Sequence, residues 1–334
     1  MRRGIGTAAA IVALAVGATP ASADTSSQVA GALNFPWPDL LPPLPTAQNP
    51  QSGPVPGCAR ASPACVDHEI VRMSALRRRL GCDHRAVFAT TYLVLTQTLR
   101  ATLKRDPRFF ADPRYLFFED ALFADYYFRP IADGPAGRPV PEAWRIAFDT
   151  AARGDANAGQ DMLLGINAHV QRDMPFVLAG LGLRAPEGTS RKRDHDRFND
   201  VLQRAYRPVV EAIARSYDPL IYTTNASWDP IDDVGGLELV KGWREGVWRN
   251  AERLLDARDA AERQRVAQSI EDNAATWARL IAGPPGPPGY RAQRDAYCAA
   301  RLPPAARPHR RSARHRRSRR HNRSQHRRRA SRRR

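Results

Sequence analysis

Residues 161–178 read DMLLGINAHVQRDMPFVL, and this stretch decides the fold. Its apolar side chains recur at the spacing of one helix face: Met162, Leu163, Ile166 and Val170. Pro175 has no N–H to donate, so we expect regular helical hydrogen bonding to fail there. The stretch therefore predicts a buried helix around which other helices pack.

Three polar residues interrupt this apolar run: Asn167, His169 and Asp173. His169 and Asp173 are four residues apart, so a helix presents both on one face. Burying an imidazole and a carboxylate is costly unless the two are paired or bound to a metal. The sequence therefore predicts a polar cluster here, with Asn167, His169, Asp173 and, from a later helix, Asn199 as its members.

Helical spacing of apolar residues recurs along the chain, in 66–80, 87–103, 117–128, 198–213, 237–257 and 260–282. Gly81 is a typical C-terminal stop, and Asp112-Pro113 is typical of an N-cap followed by a first-turn proline. We find no strand-like alternation and no internal repeat of 20–50 residues. The predicted class is all-α, a single multi-helix domain of about eight helices over residues 58–300.

The first 23 residues have the pattern of a secretory signal peptide. Arg2 and Arg3 precede an apolar run, and Ala21-Ser22-Ala23 is a typical cleavage site. We therefore expect cleavage after Ala23. No later segment is apolar enough to span a membrane, which predicts an exported, soluble protein.

Residues 24–57 contain eight prolines, which favour polyproline conformations and exclude long helices. Several large apolar side chains accompany them, so we expect this proline-rich arm to lie against the surface of the domain.

Export makes disulfides plausible for the four cysteines, Cys58, Cys65, Cys82 and Cys298. Four cysteines allow three pairings, and the sequence does not choose between them. We favour Cys58–Cys65, which are close in sequence, with Cys82–Cys298 joining the end of the domain to its start. The spacing Cys-x-x-Cys, which is typical of zinc knuckles and thioredoxin-like sites, does not occur.

The net charge of +18 is concentrated at the C-terminus. Residues 307–334 hold 15 arginines and no acidic residue, so +18 less these 15 leaves only +3 for the rest. Residues 301–334 cannot bury a core, and we expect them to be disordered. A polycation binds anionic polymers or a membrane surface, but without interleaved aromatic residues it offers no specific nucleic-acid recognition.

Imidazole and carboxylate groups on neighbouring helices are how helical bundles build metal sites. A site of His169, Asp173, His195 and Asp125 would suit zinc or another divalent metal. We choose Asp125 over Asp120 as the inward carboxylate of its helix, because aromatic residues flank it. His84 and Asp200 are further candidates. The alternatives are a buried polar network without metal and metal-free acid–base catalysis.

The chain resembles an uncharacterised bacterial family, a domain of unknown function that is usually secreted and helical. The matching residues are Cys82–Ala89, Tyr92, Leu164–Pro175 and Phe198–Leu202. The resemblance covers residues 35–298 and implies an all-helical domain with no established activity.

The His169-x3-Asp173 pattern is also distantly similar to the zinc-dependent phospholipase C and single-strand nuclease superfamily. That resemblance implies zinc ligation by His169, Asp173 and His195 and attack of zinc-activated water on a phosphodiester. The chain departs from the pattern at Asn199, where a glutamate is expected, and at Ala179, where a further histidine is expected.

The sequence lacks a Gly-x-Ser-x-Gly elbow, a His-Glu-x-x-His helix and a phosphate-binding glycine loop, which disfavours serine hydrolases, zincins and nucleotide-driven enzymes. We therefore expect a secreted helical protein with a buried His/Asp cluster and a polycationic tail, and we expect it to associate with the cell envelope. The alternative is a metal-dependent hydrolase. The sequence leaves the oligomeric state open.

Overall fold

The computed structural model describes residues 55, 57–154, 156–222, 233–283 and 286–302, with the backbone alone for 222 and 233–235. Most of the described chain is helical, and its strand-like pairing is limited to one isolated bridge between Arg184 and Ser190. The α-helices are α1 (Pro63–Leu80), α2 (Ala86–Arg105), α3 (Pro113–Asp133), α4 (Glu142–Arg153), α5 (Ala158–Ile166), α6 (Met174–Leu181), α7 (Lys192–Ser216), α8 (Asp233–Asp256), α9 (Ala260–Ala282) and α10 (Tyr290–Ala299).

Helices α5 and α6 form one continuous rod because a π-helical segment, Asn167–Asp173, joins them. Counted as rods, the described residues form nine helices, which confirms the predicted all-α class and its approximate helix number. The signal peptide, nearly all of the proline-rich arm, and residues 303–334 lie outside the described residues, so the predictions for them stay predictions.

Local signals in the sequence set several helix ends as expected. The Asp112 side chain accepts a hydrogen bond from the Tyr115 backbone N–H, with Pro113 in the first turn of α3. Gly81 follows α1 with a φ of 58°, a value in the left-handed region that L side chains rarely adopt. Asp83 accepts from the Arg85 backbone N–H just before α2 begins.

The stretch that decides the fold lies at the centre of the packing. The π segment contacts α3, α4, α8 and α9 as well as the two helices that it joins, and α2 packs between α1 and α7. Gly165 allows this close approach, since an added Cβ would lie 2.2 Å from Phe88 Cγ of α2. The predicted buried central helix is therefore confirmed.

Two disulfides close the structure, Cys58–Cys65 and Cys82–Cys298, as the favoured pairing predicted. They are typical of a protein that folds in an oxidising environment. In the described part of the chain, no helix combines the length and the apolar character that a membrane span needs.

Candidate functional site

His169 and Asp173 lie in the π segment and form a buried pair. The distance between His169 Nδ1 and Asp173 Oδ2 is 3.1 Å, and the exposed fractions of the two residues are 2% and 1%. The Met174 backbone N–H donates to the His169 carbonyl, five residues back, which is the π-helical pattern. Pro175 accounts for the change from α-helical to π-helical hydrogen bonding, because its backbone nitrogen has no hydrogen to donate to a carbonyl of the preceding turn. The helix does not end there but continues to Leu181.

Asp173 is the centre of a hydrogen-bonded group from three parts of the fold. Its Oδ2 also accepts from Trp144 Nε1 of α4 at 2.9 Å, and its Oδ1 accepts from the Arg172 guanidinium at 3.0 Å. Arg172 in turn pairs with Glu271 of α9 at 2.6 Å. Asp173 therefore holds the orientation of the His169 ring and joins α4, the π segment and α9.

Aromatic rings surround the imidazole of His169. Phe123 of α3 stacks on it with a centroid distance of 3.5 Å and an interplanar angle of 6°. The centroid of the Tyr92 ring of α2 lies 4.8 Å from that of His169. The ring centroids of Phe88, Tyr127 and Trp144 lie 5.9, 6.0 and 5.9 Å from it. This set of rings leaves the His169 side chain almost fully covered.

Burial and hydrogen bonding together fix the state of His169. Burial lowers the pKa of His169 below its ordinary value, and Asp173 opposes that shift. The neutral ring must carry its proton on Nδ1, because a carboxylate oxygen can only accept. His169 Nε2 is therefore a hydrogen-bond acceptor, and it has no partner among the described residues.

The remaining members of the predicted polar cluster form separate contacts. Asn167 donates to the Ala274 carbonyl of α9 at 2.8 Å and accepts from Gln171, which accepts from Asn273. This amide chain fastens the π segment to α9. Asn199 lies elsewhere, accepting from Arg244 Nε of α8 at 2.9 Å.

The choice of Asp125 as the inward carboxylate of α3 was wrong. Asp125 forms ion pairs with Arg129 and, at 3.9 Å, with Arg72. Asp120 instead lines a cavity between the helices, and its Oδ2 is covered and has no hydrogen-bond partner among the described residues. The ion pairs with Arg129 and Arg72 hold the Asp125 side chain away from the cavity.

Asp120 is surrounded by apolar groups and by other carboxyls. Burial raises the pKa of Asp120 to about 8, and the nearby carboxylates of Glu69 and Glu119 add to the shift. Burial also raises the pKa of Glu119 to about 7, against the effect of Arg244. Asp120 is therefore largely a neutral carboxylic acid at neutral pH, and it can donate a hydrogen bond.

The cavity has a volume of about 160 Å³ and is lined mainly by apolar side chains. Its wall takes residues from α2, α3, α5, the π segment, α7 and α8. Six ionisable or phenolic side chains interrupt this apolar wall: Tyr92, Glu119, Asp120, His169, Tyr206 and Arg244. An apolar cavity with a few convergent polar groups and shifted pKa values is the usual form of a small-molecule site.

Three of these side chains carry polar atoms without hydrogen-bond partners among the described residues: Tyr92 Oη, Asp120 Oδ2 and His169 Nε2. Most buried polar atoms in proteins are paired, because leaving one unpaired costs about 1–3 kcal/mol. All three atoms are almost completely covered, so they lie behind the surface of the cavity and not on it.

His195 has partners of its own. Its Nε2 lies 2.9 Å from the Arg244 carbonyl, and its Nδ1 lies 3.3 Å from the Arg244 guanidinium. Burial lowers the pKa of His195 well below its ordinary value, and the positive charge of Arg244 adds to the shift. His195 is therefore a neutral structural residue that holds Arg244 at the cavity wall.

The two further candidates also lie elsewhere. His84 pairs with Asp295 of α10 at 2.9 Å, and its other nitrogen lies 3.1 Å from Arg294, which pairs with Asp161. This buried group joins α10 to α2 and α5. Asp200 is exposed on α7.

The structure thus brings His169 and Asp173 together but gives His195 and Asp125 other partners. In the part of the chain that is described, no three His, Cys, Asp or Glu residues form a group that could hold a metal ion. The predicted four-ligand metal site stays a prediction, without support from this geometry.

Sequence reasoning missed Trp144 and Arg244 as members of the site. Trp144 is one residue in an amphipathic helix, and Arg244 is one arginine among many, so neither has a local signal. Tyr92 carried a weak signal, because it lies in the segment that matches the resembled family.

The fold and site define an all-helical protein in which a buried His–Asp pair lies beside an apolar cavity. Residues 66–284, more than half of the chain, match the family of unknown function DUF5995, and the chain belongs to that family. No curated protein and no solved structure matches it, so the distant similarity to the phospholipase C and nuclease superfamily finds no support there.

Proposed function

We propose that this is an exported binding protein for a small lipophilic molecule, held in the cavity between α2, α3 and α7. The observation that carries the proposal is a cavity of about 160 Å³ with a mainly apolar wall. A cavity of about 150 Å³ in another protein's core takes up benzene, so this volume suffices for a small organic ligand.

The cavity is elongated. Its lining on α2 extends from Phe88 to Leu99, which is about 16 Å at a rise of ~1.5 Å per residue. The lining on α7 extends from Phe198 to Val210, a similar length. A long, narrow, apolar space suits a single hydrocarbon chain better than a compact ring system.

The Arg-rich tail indicates where the proposed binding protein would be held after export. An exported protein with 15 arginines in residues 307–334 would be retained at anionic envelope polymers or at a membrane surface. Deleting residues 303–334 should abolish polyanion binding at about 50 mM salt. Unchanged binding in the deleted protein would exclude this role of the tail.

The test of the cavity is ligand uptake by the exported full-length protein, measured by native mass spectrometry and by displacement of a fluorescent fatty-chain probe. Ala205 lies in the cavity wall, so Ala205→Phe fills the space and should weaken probe binding at least tenfold. Ala101→Phe, at an exposed position on α2, is the matched control. Equal binding by a folded Ala205→Phe protein and wild type would refute the proposal.

The alternative is the metal-dependent hydrolase built on His169 and Asp173. Its support is that both residues lie together and that His169 lines the cavity. Metal binding would require Asp173 to exchange its Trp144 and Arg172 contacts for the ion. Elemental analysis of the exported protein and of a His169→Ala/Asp173→Ala variant tests it, since a metal-dependent enzyme would hold a metal that the variant loses.

A further inference from the structure

An exposed basic face lies where α2 ends and α7 begins. It consists of six cationic side chains, all of them exposed: Lys104, Arg105, Arg108, Arg193, Arg197 and Arg204. On α7 the three arginines recur at the spacing of one helix face. None of the six cations forms an ion pair with a carboxylate of the described residues. The face therefore presents uncompensated positive charge to the outside of the domain.

The ring of Phe109 joins the two parts of this basic face. Arg197 Cζ lies 4.4 Å from the centroid of the ring, and Arg204 Cζ lies 4.8 Å from it. Arg204 Nη1 also lies 3.4 Å from Thr102 Oγ1 of α2, and Arg108 directly precedes Phe109 in the chain. Stacking uses the flat side of a guanidinium and leaves most of its N–H donors, which point outward in its plane, for another partner.

The basic face also accounts for the positive charge of the folded part of the chain. The segments 104–108 and 193–204 expose two carboxylates, Asp106 and Asp200, so six exposed cations leave a surplus of four. Residues 1–306 carry +3 in total, so +3 less these four leaves −1 for all the rest. An anionic partner would therefore be attracted to this face and not to the other surfaces of the domain.

The basic face borders one end of the cavity. Leu99 is the last α2 residue of the cavity wall, and Arg105 lies six residues, about 9 Å, further along the same helix. On α7, Phe198 lines the cavity and directly follows Arg197. Leu202, one turn further along the wall, is partly exposed. A partner bound to the face would therefore lie beside this end of the cavity.

We propose that the basic face docks the folded domain on an anionic lipid bilayer, with the α2–α7 end of the cavity toward the membrane. Clusters of lysine and arginine are attracted to the negative surface potential of such bilayers. The choice of a bilayer over a soluble polyanion rests on the proposed binding function, because a lipophilic ligand partitions into lipid and would enter the cavity from there. The Arg-rich tail only retains the protein at a surface, whereas this face orients the domain on it.

The test is binding of the full-length protein to vesicles of phosphatidylcholine with about 30% phosphatidylserine, measured by sedimentation at about 100 mM salt. Lys104→Glu/Arg105→Glu/Arg108→Glu reverses three charges of the basic face and leaves the tail unchanged. We expect this variant to bind at least about tenfold more weakly than wild type, because each of the three cations contributes to the attraction.

The matched control is Arg78→Glu/Arg79→Glu/Arg265→Glu, which makes the same change of net charge at exposed positions. Arg78 and Arg79 lie at the end of α1 that leads into the start of α2, so the length of α2, about 30 Å, separates them from the basic face. Arg265 is on α9. At this distance salt screens the charges, so we expect the control to bind within about threefold of wild type.

Amide hydrogen exchange of the wild type locates the contact while the tail is present. Vesicles should slow exchange in the turn 106–111 between α2 and α3. They should not slow exchange in the exposed turn 136–138, which is separated from it by the length of α3, about 30 Å.

The outcomes separate this proposal from the proposed function. Equal vesicle binding by the face variant and the control, or unchanged exchange in 106–111, would refute the docking face. If the face variant loses heparin binding but binds vesicles as the control does, the partner is a soluble polyanion and the bilayer is excluded. Vesicle binding requires no cavity ligand, so a cavity that takes up no probe would remove the binding function and leave the docking face.

Discussion

Replacing Asp173 by alanine should destabilise the fold by about 2–6 kcal/mol, because the change leaves two buried hydrogen-bond donors without an acceptor. The structure gives the parts of this cost. Trp144 Nε1 and His169 Nδ1 both lose their acceptor inside the core, and each orphaned donor costs about 1–3 kcal/mol. Arg172 keeps its ion pair with Glu271 and adds little.

A double-mutant cycle with Trp144→Phe isolates one of these contacts. In the wild type, the change removes a donor from Asp173; in the Asp173→Ala background, it removes an orphaned N–H. The two costs should therefore differ by about 1–3 kcal/mol. Asp125→Ala, which breaks a surface-facing ion pair, is the control and should cost less than about 1 kcal/mol.

The assay is urea unfolding at pH 7, followed by far-ultraviolet circular dichroism and by tryptophan fluorescence, with the free energy obtained by linear extrapolation. The reasoning is refuted if Asp173→Ala costs less than about 1 kcal/mol. It is also refuted if the Trp144 and Asp173 changes are additive within about 0.5 kcal/mol, because that result would mean that the contact carries no energy.

Three other measurements test the description of the fold. Gly165→Ala should lower the stability by about 1–3 kcal/mol, because the 2.2 Å approach to Phe88 outweighs the better helix propensity; an unchanged Tm would contradict this. Cys82→Ser/Cys298→Ser should lower the unfolding free energy by about 3–5 kcal/mol in urea, since the bridge spans a separation of 216 residues. Asp120 keeps its proton up to about pH 8 when folded but loses it near its ordinary value of 3.8 when unfolded, so stability falls as the pH rises between these values. Asp120→Asn should therefore reduce the loss of stability between about pH 5 and pH 8 by roughly 2–4 kcal/mol, and an unaltered pH profile would show that the carboxyl is not buried as described.

Apolar spacing and end signals were enough to predict the helices. The Asp112 cap and the Gly81 stop depend on one or two neighbouring residues, so the sequence contains the whole cause. The pairing of His169 with Asp173 is similarly local, since four residues separate them. Local causes of this kind can be read from the sequence alone.

The other features depend on residues far apart in the chain. Apolar spacing does not distinguish a π segment from an α-helix, because both bury the same side chains. Asp125 contacts Arg72 of α1 while Asp120 lines the cavity, and a contact between two helices cannot be read from the spacing within α3. The cavity itself arises where side chains of several helices do not fill the space between them. No single segment of the sequence indicates such a space.

The Cys82–Cys298 bridge makes the described domain a covalent ring with two branches. One branch carries α1 and the proline-rich arm, and the other is the short segment that leads into the Arg-rich tail. The Cα atoms of the two bridged residues are 5.8 Å apart, so tension applied to the tail would pass directly into the start of α2. Helix α10 would not be peeled from the domain, and the cavity beside α2 would keep its shape while the tail is held.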